Sequence, residues 1–125
     1  MNKIRLLIAE DEEGLRSSIL EYFTALEDYE VIAVNDGVKA LKLFQENTYD
    51  VILTDIRMPN KTGIDLLVRV QKAKEKKGSG PHMVIMTGLL ESGEDYLKSL
   101  GASAILEKPF RLEKLAKILE GLVKT

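Results

Sequence analysis

The sequence predicts a doubly wound α/β domain, and three observations carry this prediction. Short apolar runs rich in β-branched residues alternate five times with longer segments of helical periodicity. The first and third runs are almost continuously apolar, as in strands that are buried on both faces of a parallel sheet. The chain has 125 residues, about one domain's length, and 45% of them are hydrophobic. We therefore expect residues 1–125 to form a single domain with a five-stranded parallel sheet and helices on both faces.

Five segments are predicted to be strands. Each is mostly apolar, is followed by polar residues or glycine, and is shorter than the roughly ten to twelve residues typical of helices. The predicted strands are Ile4–Ala9, Tyr29–Val34, Val51–Thr54, Met83–Thr87 and Ala104–Leu106.

The intervening segments repeat their apolar residues every three or four positions, which is the period of an α-helix. A short helix is predicted at Glu94–Leu100, with Gly101 ending it. Four apolar stripes mark the longer helices: Leu15, Ile19, Phe23 and Leu26; Val38, Leu41 and Phe44; Ile64, Leu67 and Val68; and Leu112, Leu115, Ala116, Leu119, Leu122 and Val123.

The composition excludes several classes of function. With 18 Lys and Arg against 20 Asp and Glu, the net charge is −2, which argues against nucleic-acid binding by bulk charge. The absence of cysteine excludes disulfides, thiolate catalysis and Cys-ligated metals, and the single histidine, His82, excludes a multi-histidine metal site. Neither a signal peptide nor a membrane-spanning apolar stretch is recognisable, so a cytoplasmic protein is expected.

Acidic residues stand at the carboxyl ends of two predicted strands, the edge of a parallel sheet where ligands bind. Glu10, Asp11 and Glu12 follow the first strand, and Asp55 follows the third. Carboxylates that converge there repel one another, and a hard divalent cation such as Mg²⁺ relieves the repulsion. Taken alone, the first three acids are better explained as caps of the following helix, and Asp55 as the start of a turn.

Two further polar residues stand at the ends of the fourth and fifth strands. Thr87 offers a hydroxyl donor, and Lys108 offers a compact positive charge suited to an anion. Taken alone, Thr87 is explained as a strand-end hydroxyl bonded to the backbone, and Lys108 as a surface charge. Their occurrence together with the acids favours one site, because a carboxylate nucleophile, a metal, an ammonium and a hydroxyl are the parts needed for phosphoryl transfer onto aspartate.

Four motifs carry a resemblance to a known family. They are LLIAEDEE, VILTDIRMPNKTGIDLL, VIMTG and GASAILEKPF, and their spaced residues are Asp55, Met58, Pro59, Gly63, Lys108 and Pro109. With these motifs the chain resembles a response-regulator receiver domain of two-component signalling over essentially its whole length. The resemblance implies a flavodoxin-like receiver fold with strand order 2-1-3-4-5.

The resemblance also implies roles for the site residues. Asp55 would accept a phosphoryl group from a sensor histidine kinase or a phosphotransfer protein, and Thr87 and Lys108 would hold the phosphoryl oxygens. The bond between Lys108 and Pro109 is expected to be cis. Mg²⁺ is the implied cofactor, and its implied protein ligands are Glu10 (through water), Asp11, Asp55 and the backbone carbonyl of Arg57.

A receiver of this kind is not expected to be an enzyme acting on a separate substrate. It would promote its own phosphorylation and dephosphorylation, and signal to a downstream protein through the face of the fourth helix, fifth strand and fifth helix. Direct binding to nucleic acid or membrane by this domain is not expected. Two residues depart from the family pattern. Glu10 replaces the commoner Asp, and Ile105 replaces a switching Tyr or Phe, so we expect the loop Thr87–Leu90 and the fourth helix to report phosphorylation.

Two other classes of function share parts of this pattern. A phosphatase of the haloacid-dehalogenase type needs a second Asp two residues after the nucleophile, where this chain has Arg57. A flavodoxin-like electron carrier needs a phosphate-binding loop rich in Ser, Thr and Gly after the first strand. Here three acids occupy that position and would repel a flavin phosphate. Both alternatives are disfavoured.

Overall fold

The computed structural model describes residues 3–58, 60, 62–88 and 93–123, and within them strands and helices alternate five times. Pro59, Leu89 and Leu90, which the sequence predictions name, lie outside the described residues. The strands are β1 (Ile4–Ala9), β2 (Tyr29–Val34), β3 (Val51–Asp55), β4 (His82–Thr87) and β5 (Ala102–Glu107). The helices are α1 (Glu13–Thr24), α2 (Gly37–Glu46), α3 (Gly63–Lys77), α4 (Glu94–Ser99) and α5 (Leu112–Val123).

The sheet has the strand order β2-β1-β3-β4-β5, so the predicted doubly wound fold and its strand order are confirmed. Every neighbouring pair of strands is parallel, and all carboxyl ends therefore lie at the same edge. Thr54 pairs with Ala9, and Asp55 pairs with Met86. This register brings the residues that follow β1 beside the end of β3, which on its other side lies beside the end of β4.

Both faces of the sheet are buried, which explains why β1 and β3 are almost continuously apolar. Along β1, Leu6 and Ile8 pack with α1 and α5, whereas Leu7 packs on the opposite side with α2, α3 and α4. Alternate residues of one strand thus serve two cores, and neither face can be polar. Each fully buried Leu or Ile contributes roughly 1.5–3 kcal/mol to folding relative to an exposed one.

Several element boundaries differ from the prediction. β3 extends to Asp55, β4 begins at His82, and β5 covers Ala102–Glu107, because ladder pairing continues through polar and small residues that carry no apolar signal. Leu26 lies beyond the end of α1, although it still packs against the core. The end of α4 is close to the prediction, and Gly101 follows it with a φ of 115°.

The apolar stripes predicted for α2 and α3 are partly wrong. Val38 is 47% exposed instead of facing the core. The buried positions of α2 are Gly37, Ala40 and Leu41. The buried positions of α3 are Gly63, Leu66, Leu67 and Val70. Both buried faces begin at a glycine, Gly37 or Gly63, which gives no apolar signal, so the apolar pattern places the start of each stripe one position too late.

Candidate functional site

Three carboxylates meet at the carboxyl edge of the sheet. Glu10 and Asp11 follow β1 directly, and Asp55 is the last residue of β3. One oxygen atom of each carboxylate lies within 4.8 Å of the others. Glu10 is fully buried, Asp11 is exposed, and Asp55 is intermediate. The structure therefore brings together the three acids that the sequence singled out as metal ligands, with one buried acid below and one exposed acid at the rim.

The third acid after β1 has a different role. The two carboxylate oxygens of Glu12 accept hydrogen bonds from the amides of Gly14 at 2.9 Å and Leu15 at 2.7 Å, which caps α1. The amide of Glu12 donates to Glu10 Oε2 at 2.9 Å. Capping therefore explains Glu12, whereas Glu10 and Asp11 lie beside Asp55.

Lys108, which follows β5, joins two of the acids. Its Nζ donates to Asp55 Oδ2 at 2.6 Å and to Glu10 Oε1 at 2.7 Å. The side chain of Lys108 is 23% exposed, so these are partly buried, charge-assisted hydrogen bonds. The expected cis bond between Lys108 and Pro109 is confirmed. One ammonium is thus shared by the proposed phosphoryl acceptor and the buried acid beside it.

The environment of these charges shifts two pKa values. Burial raises the pKa of Glu10 and the charge of Asp55 adds to this, although Lys108 and the Glu12 amide act in the opposite direction. Burial alone would lower the pKa of the Lys108 ammonium. The hydrogen bonds and charges of Asp55 and Glu10 outweigh that effect and raise the pKa of Lys108 above its usual value. Lys108 therefore keeps its positive charge at neutral pH.

Thr87 and Arg57 flank the acidic cluster. Thr87 ends β4 and is 5% exposed, and its carbonyl oxygen accepts a hydrogen bond from the Lys108 amide at 2.8 Å. Arg57 is exposed, and its amide donates a long hydrogen bond of 3.4 Å to Asp55 Oδ1. Arg57 lies two residues beyond Asp55 along the chain, and Thr87 follows Met86, the β4 partner of Asp55. The binding roles of the Thr87 hydroxyl and the Arg57 carbonyl stay predictions.

Two neighbours hold the backbone of Asp55. Thr54 is fully buried, and its Oγ1 donates to the carbonyl oxygen of Asp55 at 2.9 Å. Gly63, the first residue of α3, approaches so closely that a Cβ there would lie 2.0 Å from the same oxygen. Gly63 belongs to the motif quoted above, but sequence reasoning assigned no role to Thr54. The one signal for Thr54 is a hydroxyl in an otherwise apolar strand interior.

Comparison with known proteins decides the family. Residues 6–120 match the response regulator receiver domain family. The chain belongs to this family. This receiver is 34% identical over 125 residues to the transcriptional regulatory protein CiaR of Streptococcus pneumoniae, and the match covers 97% of this receiver and 52% of that protein. The receiver thus spans about half the length of the curated relatives it matches.

Solved structures confirm the receiver fold. The chemotaxis response regulator CheY4 of Vibrio cholerae superposes with a TM-score of 0.86 and 27% identity, covering 98% of this receiver and 100% of that chain. The response regulator TrrA of Thermotoga maritima, solved in complex with Mg²⁺-BeF, superposes with a TM-score of 0.81 and 26% identity, covering 96% and 99%. Within the described part of this receiver, no helix combines the length and apolar character needed to cross a membrane.

Proposed function

We propose that this receiver accepts a phosphoryl group on Asp55 in a Mg²⁺-dependent reaction. One observation carries the proposal: the Asp55 carboxylate lies at the open edge of the sheet, 2.6 Å from the Lys108 ammonium and within 4.8 Å of oxygens of Glu10 and Asp11. Membership of the receiver family supports a phosphohistidine of a sensor histidine kinase, or of a phosphotransfer protein, as the donor.

The chemistry needs a nucleophile and groups that offset charge. An Asp55 carboxylate oxygen attacks phosphorus, the P–N bond to the donor imidazole breaks, and the departing nitrogen keeps the electron pair and takes up a proton. Lys108 then binds a phosphoryl oxygen and offsets its negative charge. Thr87, at the end of the adjacent strand, donates its hydroxyl to a second phosphoryl oxygen. The position of both residues near Asp55 supports these assignments.

The acidic cluster fits Mg²⁺. Carboxylate oxygens are hard ligands, and Mg²⁺ in proteins is usually held by one or two carboxylates, several waters and a phosphate oxygen. Glu10, Asp11 and Asp55 would hold the ion, since one oxygen of each lies within 4.8 Å of the others, and the Arg57 carbonyl is proposed as a further ligand. When bound, Mg²⁺ neutralises charge on the phosphoryl oxygens and on the carboxylates. The complex of TrrA with Mg²⁺-BeF supports this assignment.

We further propose that residues 1–125 are a single cytoplasmic receiver, a signalling domain that binds neither nucleic acid nor membrane directly. Phosphorylation changes its conformation, and a protein partner reads the change at the face of α4, β5 and α5. Tyr96 of α4 is 51% exposed and supplies an aromatic contact there. Ile105 of β5 is half-buried and packs against the core on the α4 side.

Mass spectrometry with a small phosphodonor tests the proposal. Acetyl phosphate and Mg²⁺ should add one phosphoryl mass to the receiver, and the nearly isosteric variant Asp55→Asn should gain none. Asp50→Asn is the matched control, because Asp50 precedes β3 at the opposite edge of the sheet and should leave labelling unchanged. Labelling of the Asp55→Asn variant, or labelling that persists in EDTA, would contradict the proposal.

A further inference from the structure

Arg16 of α1 binds the backbone on both sides of Asp11. Its Nη1 donates to the carbonyl oxygen of Glu10 at 3.0 Å and, more weakly, to the carbonyl oxygen of Asp11 at 3.4 Å. These oxygens belong to the two peptide groups that precede and follow Asp11. One guanidinium thus restrains the backbone rotations that set the direction of the Asp11 side chain.

The conformation of this loop matters more for Asp11 than for its neighbour. Glu10 is fully buried, and its carboxylate is also held by the Glu12 amide and by Lys108. Asp11 is exposed, so packing does not fix its side chain. The position of the Asp11 carboxylate therefore depends on the backbone that Arg16 restrains.

We propose that Arg16 is a positioning residue for the Mg²⁺ site. By restraining the two peptides that flank Asp11, it keeps the Asp11 carboxylate within reach of a cation shared with Glu10 and Asp55. This inference rests on the proposed Mg²⁺ site. Ligands that are held in place lose less conformational entropy on binding, and groups that orient metal ligands commonly affect metal affinity strongly.

The positive charge of Arg16 has the opposite effect on Mg²⁺ affinity from the proposed positioning. The direction in which the Kd for Mg²⁺ changes in a variant therefore tests the proposal. A guanidinium beside the acidic cluster repels Mg²⁺ and weakens its binding. Arg16→Met keeps a long unbranched side chain but removes both the charge and the hydrogen bonds. If positioning dominates, the Kd for Mg²⁺ rises about tenfold. If Arg16 acts only through its charge, the Kd falls.

The Kd is measured by titrating the receiver with Mg²⁺ and following the backbone amide NMR signals of residues 10–12. Lys39→Met is the matched control, because Lys39 is an exposed cation of α2 whose ammonium contacts Asn35 Oδ1 at 2.9 Å. We expect its Kd to equal that of the unmodified receiver or to fall slightly. Urea unfolding of each variant reports stability separately, since a purely structural role of Arg16 would lower stability without changing the Kd of the folded protein.

The outcomes separate this inference from the function on which it rests. A Kd for Arg16→Met at or below that of the unmodified receiver overturns the positioning role and leaves the Mg²⁺ site standing. An unmodified receiver that binds no Mg²⁺ overturns the site and the inference together. If Arg16→Met does not fold, Arg16→Lys is decisive: it keeps the charge but lacks the planar guanidinium, so its Kd must also rise.

Discussion

Replacing Gly63 by alanine is expected to disturb both the stability and the phosphorylation of this receiver. Gly63 begins α3, and its amide donates to the carbonyl oxygen of Ile56 at 2.7 Å. An added Cβ would lie 2.0 Å from the Asp55 carbonyl oxygen, 2.8 Å from its carbonyl carbon and 2.9 Å from Ile56 Cα. All three are backbone atoms, which cannot rotate away as a side chain can.

The magnitude follows from these distances. Real Cβ atoms keep at least 3.0 Å from such neighbours, so α3 and the peptide of Asp55 must separate by about 1 Å. Overpacking of this kind costs about 3 kcal/mol, the upper end of the usual range, and lowers the Tm of a domain of this size by roughly 10 °C. Because the displaced peptide carries the acceptor itself, a misplacement of about 1 Å can slow phosphorylation about a hundredfold.

Two assays check both effects. Urea unfolding gives the free energy of unfolding, and timed labelling with acetyl phosphate gives the phosphorylation rate. Gly121→Ala is the matched control, because nothing lies within 4 Å of an added Cβ at this position of α5. Alanine there should stabilise the helix by up to about 1 kcal/mol. If Gly63→Ala unfolds and is labelled like the unmodified receiver, the reasoning from close approach is refuted.

Two further predictions concern charges. Lys108→Met leaves the Glu10 and Asp55 carboxylates without their shared ammonium, so in EDTA the free energy of unfolding should fall by about 1–2 kcal/mol, less than for a fully buried pair. Mg²⁺ should then raise the Tm of the variant more than that of the unmodified receiver, and equal responses would count against the prediction. Burial, with nearby Lys74, lowers the pKa of His82 below 6.5. The unfolded chain therefore takes up the proton first, and stability falls as the pH drops below about 6.5. Urea unfolding at a series of pH values measures this dependence of stability on pH, and His82→Gln should remove it. If the free energy of unfolding of the variant still falls with pH as in the unmodified receiver, other groups cause the dependence.

The class of fold, and the edge of the sheet that carries the candidate site, could be predicted from the order of residues alone. The bounds of β1 and β2 agree with the prediction because their apolar runs end where polar residues begin. In a parallel sheet all carboxyl ends share one edge, so Asp55, Thr87 and Lys108 could be assigned to that edge without coordinates. The alternation of short apolar runs with segments of helical periodicity was sufficient for these assignments, because they depend on which residues end the strands and not on distances between them.

The pattern of residues alone did not separate the acids after β1. The family resemblance assigned Glu10 and Asp11 to the metal site, and the contacts that distinguish them from Glu12 are seen in the folded protein. Three successive carboxylates look alike in the sequence, yet Glu12 caps α1 while Glu10 and Asp11 meet Asp55. Lys108 bonds to Glu10 across 98 positions of the chain and to Asp55 across 53. Contacts of that separation are set by sheet register and by the packing of helices on both faces. Local patterns of apolar and polar residues do not encode them, because those patterns describe only neighbours along the chain.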